Sequence, residues 1–334
     1  VDLHAHVYVH DRPGPLFPDD TALLAGTTTV VDAGSSGWRT FDDFKKRIID
    51  KAQTRVLASL NIVGTGITGT DAENDTSDMD PQKTAEKIRQ YPDIIVGIKT
   101  AHYLRPGWTA IQRAVEAGRL SGRPVMVDDK IFTNSGRDTR AKLLDYLRPG
   151  DMHTHMYNDR QITLIDRFTG KVEPYMWEAR RRGVLFDLGH GAGSFLWPVA
   201  AAAMAQGFPP DSISTDLHAA NVLLIQPDMT NCISKLLSLG MTLQDAIRRS
   251  TMNPARQIHR FPELGTLGVG RTADIAVFQL ETGVFAYKDA WEMKRMGTKK
   301  LECVLTVRGG KVVYDVNGLS FPEWDKAGDY GVIQ

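Results

Sequence analysis

IIVGIK at Ile94–Lys99, WTAIQRAVEA at Trp108–Ala117 and PVMVD at Pro124–Asp128 form one turn of the pattern that decides the fold. A short apolar run rich in β-branched residues reads as a buried strand, a segment with helical spacing follows, and a second such run closes the unit. Working outward, eight runs of the first kind occur: Val1–His6, Thr28–Asp32, Arg55–Ile62, Ile94–Lys99, Pro124–Asp128, Asp151–His155, Val184–Leu188 and Ile213–Asp216. Helices are expected between them, among them Phe41–Lys51, Pro81–Gln90, Thr139–Leu147, Pro174–Arg182 and Leu196–Gln206. Strands alternating with helices require a parallel sheet, and eight pairs predict an α/β fold of the (β/α)8 TIM type.

A doubly wound open sheet is the alternative, and it requires a Gly-rich phosphate turn after an early strand. The nearest stretch, GTGITG at Gly64–Gly69, runs into the polar segment Asp71–Asp80 and reads as a loop. After the eighth run the pattern changes. Thr230–Leu239 and Leu243–Arg249 read as helices, Asn253-Pro254-Ala255 as a helix start, and Ala273–Phe278 as a strand. Strands at Glu302–Arg308 and Lys311–Asp315 flank Gly309-Gly310, a hairpin signal. The expected division is therefore a barrel over 1–262 and a small β unit over 263–334.

The chain of 334 residues is 42% hydrophobic, enough for a full core, and its 40 basic and 40 acidic residues cancel. Balanced charge gives no reason to expect nucleic acid or an anionic membrane as partner. Cys232 and Cys303 lie far apart and form neither a disulfide framework nor a zinc knuckle. The most apolar stretch, Trp197–Met204, falls well short of the roughly 20 residues a membrane span needs. The chain opens at Val1 inside a strand without a starting Met, so upstream sequence is expected to be missing. The compartment is not legible, with the cytoplasm only weakly favoured.

Chemistry-bearing residues gather at the carboxyl ends of these runs. His4 and His6 are two apart on a strand and share a face. Lys99 ends an apolar run, where an ammonium is costly to bury alone. Either it pairs with a carboxylate, which residue type favours, or its amine becomes a carbamate bridging two metals. Lys130, beside Asp128 and Asp129, is a rival lysine that reads as a surface residue. His153 and His155 share a face, and His190 sits between Gly189 and Gly191. Asp216 is either a helix cap or a metal ligand that takes a proton from water. Imidazoles and a carboxylate from separate strands suit zinc or a similar ion.

Together these pieces resemble the amidohydrolase superfamily, and more closely its dihydroorotase-like and deacetylase-like metallohydrolases. The matching motifs are VDLHAH (Val1–His6), GTTTVVDAG (Gly26–Gly34), VGIK (Val96–Lys99), THMYN (Thr154–Asn158), FDLGHG (Phe186–Gly191), STDLH (Ser214–His218), NPA and GTLGVGRTADIAVF (Gly265–Phe278). The resemblance implies a binuclear site, with His4, His6 and Asp216 on one ion, His155 and His190 on the other, and a carboxylated Lys99 bridging; the expected cofactor is a divalent metal, one or two zinc ions. It reverses the preference for an ion-paired Lys99. Relatives often carry a His on the strand after the lysine; here that strand ends in Asp128, as ligand or neighbour. Relatives also open with a β-sandwich segment, so the sandwich formed by the tail is expected to be incomplete.

The implied activity is hydrolysis of an amide or ester by metal-activated hydroxide, with Asp216 as acid and base and an N-acyl amino acid or acylated hydroxy acid as small-molecule substrate. Alternatives are a dihydroorotase-like cyclic amidohydrolase, an adenine-deaminase-like enzyme and a non-catalytic barrel. His218, His102, Tyr103 and Arg137 are candidates for contacting an anionic substrate. Self-association into a homo-oligomer is left open.

Overall fold

The computed structural model describes residues 1–9, 14–128, 140–158, 164–223, 225–326 and 328; Lys130 and Arg137 lie outside them. Among the described residues, seven strands form one sheet in sequence order: β1 (Asp2–Ala5), β2 (Thr29–Gly37), β3 (Arg55–Asn61), β4 (Ile95–Ala101), β5 (Val125–Asp128), β6 (Met152–His153) and β7 (Leu185–Phe186). Every neighbouring pair is parallel. Parallel neighbours need a crossover, which helices such as Pro81–Gln90, Thr109–Ser121, Pro174–Arg181 and Trp197–Ala205 supply.

The expected eighth strand is not a ladder strand. Ser212 bridges Asp187 and Leu217 bridges Ala5, both in parallel. Backbone bonds from Leu188 to Ser212, His190 to Ser214 and His6 to Leu217, at 3.0, 3.2 and 3.1 Å, tie this segment between β7 and β1. The sheet thus curls round on itself as a TIM-type barrel.

Packing follows from the curl. One small buried cluster takes Leu3, Val31, Leu57, Val96, Met126 and Met152 from six successive strands, with Leu185 of β7 packed against it. A ring that draws on every strand in turn lies inside the curve, and Ala255, Ile258 and Leu264 close its base. The larger cluster, including Val30, Val56, Ile98 and Val127, fills the layer between strands and helices. With both strand faces buried, the carboxyl ends are where polar groups can gather.

The tail forms an antiparallel sheet of β8 (Ile275–Lys288), β9 (Lys294–Arg308) and β10 (Lys311–Asp315). β8 and β9 reach well beyond the expected Ala273–Phe278 and Glu302–Arg308. Their turn is tied by Asp289, whose carboxylate accepts from the Trp291 and Met293 amides at 2.9 Å. The sheet is fastened to the barrel by the Ser234 hydroxyl, which accepts from Leu301 N at 2.9 Å, and by Thr306, which donates to Leu23 O at 2.8 Å. No helix among the described residues is long and apolar enough to cross a membrane.

Gly34, on β2, has φ +85°, and a Cβ there would sit 2.7 Å from Cγ of Lys99. Gly34→Ala combines a strained backbone with overpacking, so a loss of about 1–3 kcal/mol is expected, read as a lower urea midpoint at unchanged m-value. An unchanged midpoint would show that Lys99 does not need that space.

Candidate active site

At the end of β1 the backbone sends His4 and His6 the same way, with ring centroids 5.6 Å apart. Each ring is anchored through Nδ1. His4 Nδ1 lies 2.9 Å from the Thr154 hydroxyl, which itself donates to Asp187 at 2.8 Å. His6 Nδ1 lies 3.0 Å from the Ser35 hydroxyl, and Ser35 N donates to Asp32 at 2.7 Å. His155, just past β6, has Nδ1 2.5 Å from the Gly189 carbonyl. Hydroxyl and carbonyl partners fix ring orientation and leave Nε2 facing the barrel mouth.

All three Nε2 atoms turn toward Asp216. His4 and His6 lie 3.5 and 3.1 Å from Oδ1, and His155 lies 3.9 Å from Oδ2. One ligand-capable atom each from His4, His155 and Asp216 falls within 4.8 Å of the others. Lys99 Nζ is buried 3.0 Å from His4 Nε2, and no described carboxylate pairs with it. Asp216 does not cap a helix. Its φ is +49°, and the following helix Ala219–Val222 is capped by His218, whose Nδ1 accepts from Ala220 N at 3.3 Å. His102 and His155 also adopt left-handed φ, +53° and +59°. Such strain in non-glycine residues collects where side chains are held for function.

The charges are mutually dependent. Burial opposes ionisation of Asp216, but His4, His6 and His155 outweigh it and hold the carboxyl far below its ordinary range. Burial pushes His4 down to about 3, helped by Lys99. Burial also lowers Lys99, against the pull of Asp128 and Asp216. These groups line a cavity of about 380 Å³ with Ile67, His102, Asp128, the 192–194 turn and His218. That volume suits a small organic molecule.

Two expected residues are not brought to the cluster. His190 is wholly buried, but its Nε2 lies 2.8 Å from Lys235 Nζ, its Nδ1 lies 3.0 Å from Gly191 O, and its ring stacks on Phe195 at 4.8 Å. With both nitrogens engaged away from Asp216, His190 holds the turn rather than facing the cavity. Gly191 in that turn backs onto the Asp216 carboxylate, where any Cβ would overlap Oδ2. Tyr103 is packed into the core and does not line the cavity, whereas His218 and His102 do. Arg137 lies outside the described residues. Sequence reasoning missed Glu73, which meets His102, and Lys235, which fixes His190. Lys235 gave a signal only in retrospect, as a charge among the apolar residues of its helix.

A profile described as the amidohydrolase family matches residues 197–313. A deacetylase from Enterococcus faecalis is 29% identical over 326 residues, covering 94% of this chain and 85% of that protein. A deacetylase from Agrobacterium fabrum is 30% identical over 295 residues, covering 84% and 69%. Among solved structures, one described as an adenine deaminase aligns with a TM-score of 0.87 at 28% identity, covering 94% of this chain and 85% of its own. One described as a dihydroorotase aligns at 0.83 and 27%, covering 94% and 87%. With its site geometry and these likenesses in agreement, the chain belongs to the amidohydrolase superfamily as a deacetylase-like, hydrolytic member.

Proposed function

We propose that this enzyme removes the acyl group of a small N-acyl amino acid or acylated hydroxy acid, using one or two zinc ions held by His4, His6, Lys99, His155 and Asp216. The observation that carries the reading is the convergence of three Nδ1-anchored imidazoles on the Asp216 carboxylate at the mouth of the barrel. That donor set fits a divalent cation, since a ring whose Nδ1 is tethered by a hydroxyl or carbonyl turns its Nε2 toward the cavity, where a cation can take the place of a proton. Lys99 fits the bridging role as its carbamate. A buried amine without a carboxylate partner is driven toward its uncharged form, which adds to CO2 with loss of one proton and yields an oxygen-bearing anion. We read 212–217 as the eighth stave of the barrel and 1–262 and 263–334 as its two units.

A divalent cation held there would supply Lewis acidity, bringing the pKa of water down to about 7 and polarising the scissile carbonyl. Asp216 stays ionised, accepts the proton of the attacking water and returns it to the leaving group. His218 accepts from Ala220 N through Nδ1, so its neutral ring carries the proton on Nε2 and donates it to a substrate oxygen in the cavity. The turn at Gly189–Gly191, clamped through His190, keeps Asp216 from swinging away.

The similarity to structures described as an adenine deaminase and a dihydroorotase keeps a second reading, attack on an amidine or a cyclic amide, in play. A panel of N-acetyl amino acids, acetylated hydroxy acids, dihydroorotate and adenine separates them: turnover is expected on the acylated acids, and turnover confined to adenine or dihydroorotate would overturn the deacylase reading. Asp216→Asn should lower kcat by about 10²–10⁴-fold while most of the metal is retained, measured by elemental analysis beside kinetics; wild-type kcat would remove Asp216 from proton transfer. Protein equilibrated with ¹³C-bicarbonate should give a carbamate carbon resonance that Lys99→Ala abolishes. A resonance that survives this substitution would exclude Lys99 as its source.

A further inference from the structure

The donor opposite His155 remains to be assigned, because His190 is turned toward Lys235. We propose that Asp128 takes that place, as an anionic ligand where the sequence pointed to an imidazole, and that His102 and Glu73 hold it there. The assignment rests on the metal-dependent reading above, and it concerns which side chains share the second cation position.

Position comes first. Asp128 ends β5 and pairs in register with Ala101, two residues beyond Lys99 on β4. Its carboxylate lines the same cavity as His4, His6, Lys99, His155 and Asp216. Asp128 Oδ2 lies 3.4 Å from His155 Nε2, and that nitrogen is 3.9 Å from Asp216 Oδ2. His155 therefore stands between two carboxylates, one from the fifth strand and one from the segment that closes the barrel. Among the described residues no comparable donor approaches it from the His190 side, where the Gly189 carbonyl takes up Nδ1.

The support behind Asp128 is built in. His102 Nε2 lies 3.2 Å from Asp128 Oδ2, and its Nδ1 lies 3.0 Å from Glu73 Oε1. A ring with a carboxylate on each side donates from both nitrogens, so His102 is an imidazolium between two anions. The backbone is shaped to allow this. His102 takes a left-handed φ of +53°, and its amide donates to the Asp128 carbonyl at 3.1 Å. Glu73 is buried in the short helix Thr70–Glu73 and meets the ring from the far side. The chain that links them, Glu73–His102–Asp128, resembles in logic the Thr154 and Asp187 support behind His4, with a carboxylate as the group presented.

A consequence follows in chemistry. A carboxylate in place of an imidazole adds one negative charge and a hard oxygen donor, and oxygen donors favour harder ions such as Mn²⁺ relative to Zn²⁺. The His102 cation offsets part of that charge and keeps the carboxylate aimed without entering the donor set. If Asp128 were only a neighbour accepting a proton from His155, its neutral isostere would leave ion binding intact.

The test is calorimetric titration of metal-depleted protein with Zn²⁺ and, separately, Mn²⁺, with elemental analysis of the loaded samples. Wild type, Asp128→Asn, Asp128→His and His190→Gln are compared. Asp128→Asn is expected to weaken the second ion at least about tenfold while the first remains. Asp128→His should regain Zn²⁺ and lose Mn²⁺, and His190→Gln should keep both ions. The assignment is overturned if Asp128→Asn binds both ions as wild type does, or if His190→Gln is the variant that loses one. A wild-type chain that takes up neither metal would sink the metal-dependent reading itself, a result distinct from retention of two ions by Asp128→Asn.

Discussion

Burying charge without solvent is the constraint on which this site is built. Asp128, Asp216, Lys99 and the imidazoles of His4 and His155 are all withdrawn from water at the mouth of the barrel. A buried ion left unpaired costs several kcal/mol, so each of these groups is tolerable only with the others in place. This is why His155 lies between carboxylates, and why burial of Asp216 fails to neutralise it. A parallel barrel suits this arrangement because successive strands deliver their carboxyl ends to one rim.

Around this rim lies a second set of buried carboxylates that never face the cavity. Asp187 accepts from Thr154, Ser212 and Ser214 at 2.8, 2.6 and 2.6 Å. Asp2 accepts from the Thr215 amide at 3.1 Å and from its hydroxyl. Asp32 accepts from the amides of Val7 and Ser35 at 2.9 and 2.7 Å. Hydrogen bonds to a charged group are about twice as strong as neutral ones. They are spent on the joints between β1, β2, β7 and the closing segment, where regular pairing is sparse.

Much of the fold was legible because β-branched runs and helical spacing recur at regular intervals, and β1 to β7 fall inside or beside the expected runs. The eighth run forms no ladder, and its place is made by single bridges and side-chain carboxylates that a hydropathy pattern does not encode. The Phe41–Lys51 segment begins as α-helix at Phe41–Phe44 and widens over Lys45–Ile49, a change of winding that spacing alone does not reveal. The long arms of β8 and β9 mix adjacent charges, as at Lys294-Arg295 and Lys299-Lys300, with Gly283 and Gly297, so no continuous apolar run marked their full length. His4, His6, Lys99, His155 and Asp216, which do line one cavity, stood at the ends of expected runs, but the choice of His155 over His153 came from the family resemblance and not from spacing. The direction of His190 was not legible, because Lys235, forty-five residues away, decides it. Asp128 stood out as a departure, but its partners come from elsewhere, Glu73 from the short helix Thr70–Glu73 and His102 from just past β4, and could not be paired by reading along the chain.

The helix Met229–Ser238 gives the molecule an unexpected unity. One of its residues, Lys235, grips the turn that backs Asp216, and another, Ser234, receives the backbone of β9. Both attachments are made within two adjacent positions of one rigid rod. The antiparallel sheet and the turn behind Asp216 are therefore held by neighbouring residues of one helix, so the tail and the barrel mouth share an anchor.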